Sequence, residues 1–189
     1  AHSYSVRGEV AQAIKLLRRV IQLAPLDIYA RNRLIDQLVA RGQTDDAIHE
    51  YLEMAGIYYR LADLDMARKT YTTALRVVQQ GNAGRDWNAH ILQRMADIDL
   101  QRLDWKQAVR VYEQIRTIAP EDAGTRKQLV DLNLRMGQPD KAMGELENFI
   151  TYLENQRKTD LALTFLDELV KEHDDQPLLK RTLAAQLHH

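Results

Sequence analysis

The side chains of this sequence that could do enzyme chemistry do not stand at the spacings that such chemistry requires. His49 and Glu50 begin the pattern of a zinc-protease helix, but Glu53 occupies the position of the second histidine, so a metal ligand is missing. No phosphate-binding loop, dinucleotide fingerprint or nucleophile elbow occurs, and the sequence has no cysteine to serve as a thiol nucleophile. These patterns predict a chain that is not an enzyme.

Three acidic residues, Asp97, Asp99 and Asp104, are the remaining candidates for a cation site. Their spacing lacks the pattern of a calcium-binding loop, and charges on the surface of a helix explain them better. We therefore expect neither a metal nor a cofactor, and a function in binding rather than in catalysis.

Composition argues against two classes of binding partner. The chain has 26 Lys and Arg residues against 27 Asp and Glu residues, and it has no block of like charge. It therefore lacks the concentrated basic face that nucleic acids and anionic membranes require. Apolar runs are too short to span a bilayer, and the amino terminus carries no secretion signal. The sequence predicts a soluble chain and slightly favours a cytoplasmic location.

The elements that must position a binding site are all predicted to be helices. Prolines number only four, helix-forming residues are abundant, and apolar residues recur at intervals of three and four. Asp104 and Thr159 are expected to cap helices, and Pro139 to stand in a first turn. The pattern predicts ten antiparallel helices, at about 8–23, 27–41, 44–61, 64–79, 86–102, 105–118, 122–136, 139–156, 159–172 and 177–188.

An internal duplication of 95 residues organises these helices. The first three alanines that recur are Ala13, Ala47 and Ala67, and their counterparts are Ala108, Ala142 and Ala162. The same interval relates Pro25 to Pro120, Asp27 to Asp122, Arg31 to Arg126, Gly42 to Gly137 and Glu50 to Glu145. Repetition of this kind predicts a stacked helical array with related halves, 1–95 and 96–189, that works by presenting a surface.

The spacing of small and large residues resembles the tetratricopeptide repeat, a 34-residue helical hairpin. One match to its pattern is formed by Met54, Ala55, Tyr58, Ala67, Tyr71 and Ala74, and another by Leu92, Met95, Ala96, Ala108, Tyr112 and Pro120. The resemblance implies an all-α superhelix, a single solenoid over residues 1–189 that is a segment of a longer array. It also implies a scaffold that binds a protein or peptide through a concave groove.

The chain departs from the family in the spacing of its small residues. Successive alanines of one repeat position are 34, 20, 41, 34 and 20 residues apart. Because 20 residues cannot hold a whole hairpin, we expect helices 44–61 and 139–156 each to serve two repeats and to pack on both neighbours. The interval of 41 predicts an irregularity around residues 81–85.

The resemblance implies which residues line the groove. The residues assigned to it are Asn32, Arg33, Asp36, Gln93, Arg94, Asp97, Lys127 and Asp131. Aspartate recurs at one repeat position in each of the three helices, which favours a basic or polar partner segment. The alternative is that these are ordinary solvated charges.

Tyrosines form a second feature with two interpretations. Tyr51, Tyr58 and Tyr71 fall on packing positions of the repeat and are expected in the core, whereas Tyr59 is expected to be exposed and able to contact a partner.

Both ends of the sequence resemble half-repeats, which leaves a second function open. In this alternative the chain is a structural module that associates weakly end to end with its own copies. The residues assigned to that contact are Ala13, Leu17, Leu183 and Leu187.

Overall fold

The computed structural model is entirely helical in the part of the chain that it describes, which comprises residues 2–81, 85–173, 177, 179–181 and 184. Its helices are α1 (His2–Leu23), α2 (Ile28–Ala40), α3 (Thr44–Arg60), α4 (Leu64–Gln80), α5 (Arg85–Gln101), α6 (Trp105–Ile118), α7 (Ala123–Arg135), α8 (Pro139–Asn155) and α9 (Thr159–Glu172). Residues 177, 179–181 and 184 are also helical, at the position of the tenth predicted helix. The all-helical prediction is confirmed for these residues.

The chain forms two compact units, Ala1–Ile98 and Asp99–His189. In the first unit α1 packs on α2, α2 on α3 and α3 on α4, and in the second α6 packs on α7, α7 on α8 and α8 on α9. The boundary falls three residues beyond the expected end of the first half at residue 95. Within these two series each helix packs on the next one along the chain, as short connections require.

Five three-residue connections share one turn geometry. The middle residue of each has a positive φ, and these residues are Gly42 (69°), Ala62 (60°), Leu103 (58°), Gly137 (68°) and Arg157 (56°). In every case the next amide donates to the carbonyl five residues earlier, for example Gln43 N to Leu38 O and Asp104 N to Asp99 O, both at 2.9 Å. This pattern satisfies carbonyls that the end of an α-helix leaves unpaired.

Aspartate side chains cap four helix starts by accepting a hydrogen bond from an amide three residues later. The capping residues are Asp27, Asp63, Asp104 and Asp122. The expectations for Asp104 and Pro139 are confirmed, since Asp104 accepts from Gln107 N and Pro139 opens α8. Thr159 is not a cap, because it is already the first helical residue of α9 and Lys158 precedes it without a side-chain bond.

The first helix begins at His2 rather than near residue 8. The sequence predicted a start at Gly8, which matches a turn position of the repeat. A glycine inside a helix costs only about 1 kcal/mol relative to alanine, and the helix continues through it.

Small residues allow the helices to approach closely. Five of the recurring alanines have no exposed surface, and they are Ala47, Ala67, Ala108, Ala142 and Ala162. Large side chains fill the space beside them, such as Leu34 and Leu38 next to Ala47 in the first unit, and Phe149 and Phe165 near Ala142 in the second.

The two helices predicted to serve two repeats are continuous. Thr44–Arg60 runs unbroken through Gly56 and packs on α2 and α4, and Pro139–Asn155 packs on α7 and α9. The predicted continuity and packing of both helices are confirmed.

Candidate functional site

A cleft of about 430 Å³ lies between α3 and α5 in the first unit, and we call it the α3–α5 cleft. The side chains that define it are Glu53 and Tyr59 from α3, Tyr71 from α4, and Trp87, Arg94 and Asp97 from α5. Residues three, four and seven apart share one face of a helix, which is why α3 and α5 each supply several lining residues. The cleft thus combines aromatic rings with both signs of charge.

Tyr71 lies on the buried side of the α3–α5 cleft and is 7 % exposed. Burial raises the pKa of its phenol; nearby Arg94 works against this shift, and Asp97 and Glu53 add to it. The phenol therefore stays protonated across the physiological range and remains a neutral hydrogen-bonding group between charged neighbours.

Three polar contacts involve the α5 side of the cleft. Trp87 Nε1 donates to Asp45 Oδ1 at 3.2 Å, which ties the indole to the first turn of α3. Gln93 Nε2 donates to Asp97 Oδ1 at 3.2 Å, and Arg94 Nη1 lies 3.8 Å from the same carboxylate. The predicted residues Gln93, Arg94 and Asp97 therefore interact with one another, and Arg94 and Asp97 line the cleft.

The predicted groove residues of α2 lie outside the α3–α5 cleft. Asn32, Arg33 and Asp36 are exposed, and the Arg33 guanidinium lies 5.7 Å from the ring centroid of Tyr29. Burial raises the pKa of Tyr51, and the Asp36 carboxylate adds to this shift. These residues form a separate polar surface within the first unit.

In the second unit, the predicted groove residues of α7 already have partners on α9. Lys127 Nζ bonds Glu172, and His173 Nε2 lies 2.6 Å from Asp131 Oδ1. The hydrogen bond to Glu172 raises the pKa of Lys127. Ligand atoms of Asp131, Glu172 and His173 lie within 4.8 Å of one another, but the ammonium of Lys127 already supplies a positive charge to this cluster.

This helical architecture is similar to that of known proteins. Residues 45–121 match the family model described as tetratricopeptide repeat. A kinesin light chain-like structure from Podosopora anserina, with nearly identical repeats of this type, is 14% identical over 95% of this chain and 93% of its own, with a TM-score of 0.54. The chain has the tetratricopeptide-repeat fold.

A second structure of this fold is similar to the chain over a comparable length. It is MamA from Desulfovibrio magneticus RS-1, from position 41 to its end, with 17% identity over 93% of this chain and 94% of that one and a TM-score of 0.50. Sequence identities this low establish the fold alone. No curated protein matches the sequence significantly.

The four tyrosines considered in the sequence analysis differ in their exposure to solvent. Tyr71 is buried, Tyr51 and Tyr58 are half-buried, and Tyr59 is exposed at 37 %. The prediction of a partner-accessible Tyr59 is confirmed as to its exposure, and the residue lines the α3–α5 cleft.

The residues assigned to self-association are only partly placed. Ala13 and Leu17 are half-buried, and Leu17 packs against the core of the first unit. Leu183 and Leu187 lie outside the described residues. The more exposed apolar side chains of α1 are Leu16, at 67 %, and Leu23, at 74 %.

Sequence reasoning missed a second cleft, which lies between α6 and α8 in the second unit and which we call the α6–α8 cleft. It has a volume of about 830 Å³. Its charged lining comprises Lys106, Arg110, Glu113 and Arg116 from α6, Arg126 from α7, and Lys141 and Glu145 from α8. The sequence held one signal of this site, because Arg31 and Glu50 recur as Arg126 and Glu145. Recurrence alone does not show which residues are in contact.

The recurring residues do touch, and they do so in the same way in both units. Arg31 pairs with Glu50 and donates to Pro25 O at 3.3 Å. Their counterparts in the second unit repeat both contacts: Arg126 pairs with Glu145 at 2.6 Å and donates to Pro120 O at 3.1 Å. The 95-residue repeat therefore preserves an ionic contact that joins α2 to α3 in the first unit and α7 to α8 in the second.

Proposed function

We propose that this chain is a protein-interaction scaffold that binds an extended partner segment in the α3–α5 cleft. The observation that carries the proposal is the convergence of Tyr59, Tyr71 and Trp87 with Arg94 and Asp97 in one concave surface. Aromatic and arginine side chains in a pocket supply most of the binding energy in many protein interfaces. Ligand sites combine an apolar lining with a few polar groups that orient the ligand.

Gly56 supports this assignment, because it destabilises α3 although packing does not require a glycine there. It lies inside α3, four residues before the helix ends at Arg60, and lines the cleft. A Cβ added there would meet only the end of the Arg60 side chain, at 3.5 Å, so packing does not require a glycine. The helix thus forgoes up to about 1 kcal/mol of stability at a position where any side chain would narrow the cleft.

The chemistry of the cleft favours a polar segment with one apolar or aromatic anchor. Asp97 is already hydrogen-bonded by Gln93, and Arg60 and Arg94 offset the charge of Glu53 and Asp97. Asp36, the other predicted aspartate of the first unit, lies outside the cleft, so the cleft itself has no strong preference for a basic partner. An anchor that stacks on Tyr59 or Trp87 would supply specificity without a net charge.

Peptide selection followed by matched double variants tests the proposal. A peptide is selected from a random display library against the whole chain, and its affinity is measured by fluorescence anisotropy. The change Tyr59→Ala with Arg94→Ala should weaken binding at least tenfold. The control, Tyr29→Ala with Arg33→Ala, removes the same two residue types from α2 and should leave affinity within twofold.

The two variants also separate the cleft from the predicted α2 surface. If only the Tyr29 and Arg33 variant loses affinity, the partner binds along α2 and the cleft assignment is wrong. If neither variant loses affinity, neither surface is the binding site.

A specific observation favours self-association as a second candidate function. Leu16, Val20 and Leu23 expose an apolar stripe on α1, at 67 %, 42 % and 74 %. Contact of this stripe with another copy would bury apolar surface worth roughly 25 cal/mol per Å². Light scattering should then show a mass that rises with concentration and that falls for Leu16→Lys, whereas Leu61→Lys, at an equally exposed leucine of the α3–α4 turn, should have no effect. A mass independent of concentration would contradict self-association.

A further inference from the structure

The α6–α8 cleft is strongly basic, unlike the α3–α5 cleft. Among its described lining residues, five side chains are cationic and two are carboxylates. Glu145 is committed to Arg116 and to Arg126, which is 4% exposed on its side chain. The second carboxylate is Glu113. Within the described residues, Lys106, Arg110 and Lys141 form no ion pair, whereas Arg116 and Arg126 do.

The Arg126 guanidinium beneath these cations is fully hydrogen-bonded. Arg126 Nη1 bonds both Glu145 Oε1, at 2.6 Å, and Asn148 Oδ1, at 2.9 Å, while its Nε and Nη2 donate to Pro120 O at 3.2 and 3.1 Å. Every nitrogen of this guanidinium has a partner, so Arg126 holds α7 against α8 and is not available to bind a ligand. The cations available to a ligand are therefore Lys106, Arg110 and Lys141.

Gly144 keeps the α6–α8 cleft open. It lies in the second turn of α8 and lines the cleft, and an added Cβ would meet no atom within 4 Å. Packing therefore does not explain the glycine, which costs the helix roughly 1 kcal/mol relative to alanine. A side chain there would project into open space that a bound segment could fill.

The corresponding region of the first unit lacks these properties. Its cleft has a volume of about 290 Å³, and the Arg18–Asp46 ion pair, at 2.9 Å, lies across it. At the 95-residue interval, Ile21 stands for Arg116, Asp46 for Lys141 and His49 for Gly144. The basic, open cleft is thus specific to the second unit and is not a by-product of the repeat.

We propose that the α6–α8 cleft binds an extended acidic segment of a partner protein. The cleft follows α6 from Lys106 to Thr117, a length of roughly 17 Å at about 1.5 Å per residue. An extended chain rises about 3.3 Å per residue, so about five residues fit. Carboxylates of such a segment would be complementary to Lys106, Arg110 and Lys141 and would associate in a salt-dependent way. The site is independent of the α3–α5 cleft.

Binding of a fluorescein-labelled pentaglutamate peptide to the whole chain tests this proposal. At low ionic strength the anisotropy should report saturable binding, which weakens as salt is added. Arg110→Glu with Lys141→Glu, at two exposed positions, should weaken binding at least tenfold. Gly144→His, which introduces the residue of the first unit, should weaken it at least fivefold while the melting temperature stays equal or rises.

The control reverses two exposed cations outside the cleft, Lys15→Glu with Arg76→Glu, and should keep affinity within twofold. The Tyr59 and Arg94 variant should also bind pentaglutamate normally, which separates this site from the proposed function. Absence of saturable binding, equal loss in the control, or unchanged binding by Gly144→His would overturn the proposal. Tighter binding of a single-stranded oligouridylate of the same charge would assign the cleft to nucleic acid instead and would equally overturn it.

Discussion

Replacing Leu103 by glycine should stabilise the protein. Leu103 is the middle residue of the connection between α5 and α6, with a φ of 58°. A left-handed backbone costs a residue with a side chain about 1–2 kcal/mol, and glycine avoids this cost. Leu103 is 73 % exposed, so its removal forfeits only about 0.5 kcal/mol of apolar contact, and the extra chain entropy of glycine takes a similar amount. The expected net gain is about 0.5 kcal/mol.

Combining three such changes makes the effect large enough to measure with confidence. Ala62 and Arg157 occupy the same turn position at φ values of 60° and 56°. Changes at separate sites add, so Ala62→Gly, Leu103→Gly and Arg157→Gly together should contribute about 1.5 kcal/mol and raise the melting temperature by roughly 3–6 °C. Thermal and urea unfolding followed by circular dichroism measures both quantities.

Two controls isolate backbone strain from side-chain loss. Leu103→Ala removes the same apolar contact but keeps the strain, so it should not stabilise. Gly137→Ala introduces the strain at an open position, where a Cβ would meet no atom within 4 Å, and should destabilise by about 1 kcal/mol. If Leu103→Gly proves no more stable than Leu103→Ala, the strain argument for these turns is refuted.

Further changes probe the buried polar groups and the core. Glu145→Gln leaves two arginines without their carboxylate and should destabilise by about 3 kcal/mol, more than Glu50→Gln, which affects one arginine; urea midpoints that are equal would contradict this. Asn133→Leu removes a buried Oδ1 that has no partner among the described residues and should raise stability by about 1 kcal/mol, and a fall would show that the atom is satisfied. Ala108→Leu should overpack a site with no exposed surface and lower stability by about 1–3 kcal/mol, measured by the same unfolding curves. Because the pKa of Tyr71 is raised, its contribution to stability is complete below pH 10 and is lost as the pH rises through the folded-state pKa; Tyr71→Phe should therefore flatten the stability profile above pH 10, and an unchanged profile would contradict the assignment.

Helix positions were predictable because the periodicity of the apolar residues and the positions of the capping residues indicate the same helix bounds. The apolar spacing placed α3 and α8 within one residue of their observed bounds, and Asp104 marked the start of α6. Small residues were equally informative, since Ala47 and Ala142 lie where helices approach. These features are local, so a single sequence carries them.

The turns and clefts were not predictable for physical reasons. Ala62 and Leu103 carry no sequence signal for a left-handed conformation, which the helix ends impose on them. The pairing of Arg126 with Glu145 depends on how α7 packs against α8, and the repeat shows only that both residues recur. Gly144 could equally have been a packing requirement until the space around it was known.

No helix within the described residues is long and apolar enough to cross a membrane. The tetratricopeptide-repeat fold and the lining of the α3–α5 cleft both favour protein partners. The proposed function depends on the claim that the partner binds in this cleft.

The two tryptophans provide the most direct measurement of that claim. Trp87 lines the α3–α5 cleft, whereas Trp105 begins α6 in the second unit and does not line it. In a nitrogen-15 correlation spectrum each indole gives one resonance, and a selected peptide can be titrated while both are followed. The account predicts a saturable shift of the Trp87 indole resonance with the affinity measured by anisotropy, while Trp105 stays in place. A shift of Trp105 alone, or no shift of either indole at saturation, would contradict binding in the α3–α5 cleft.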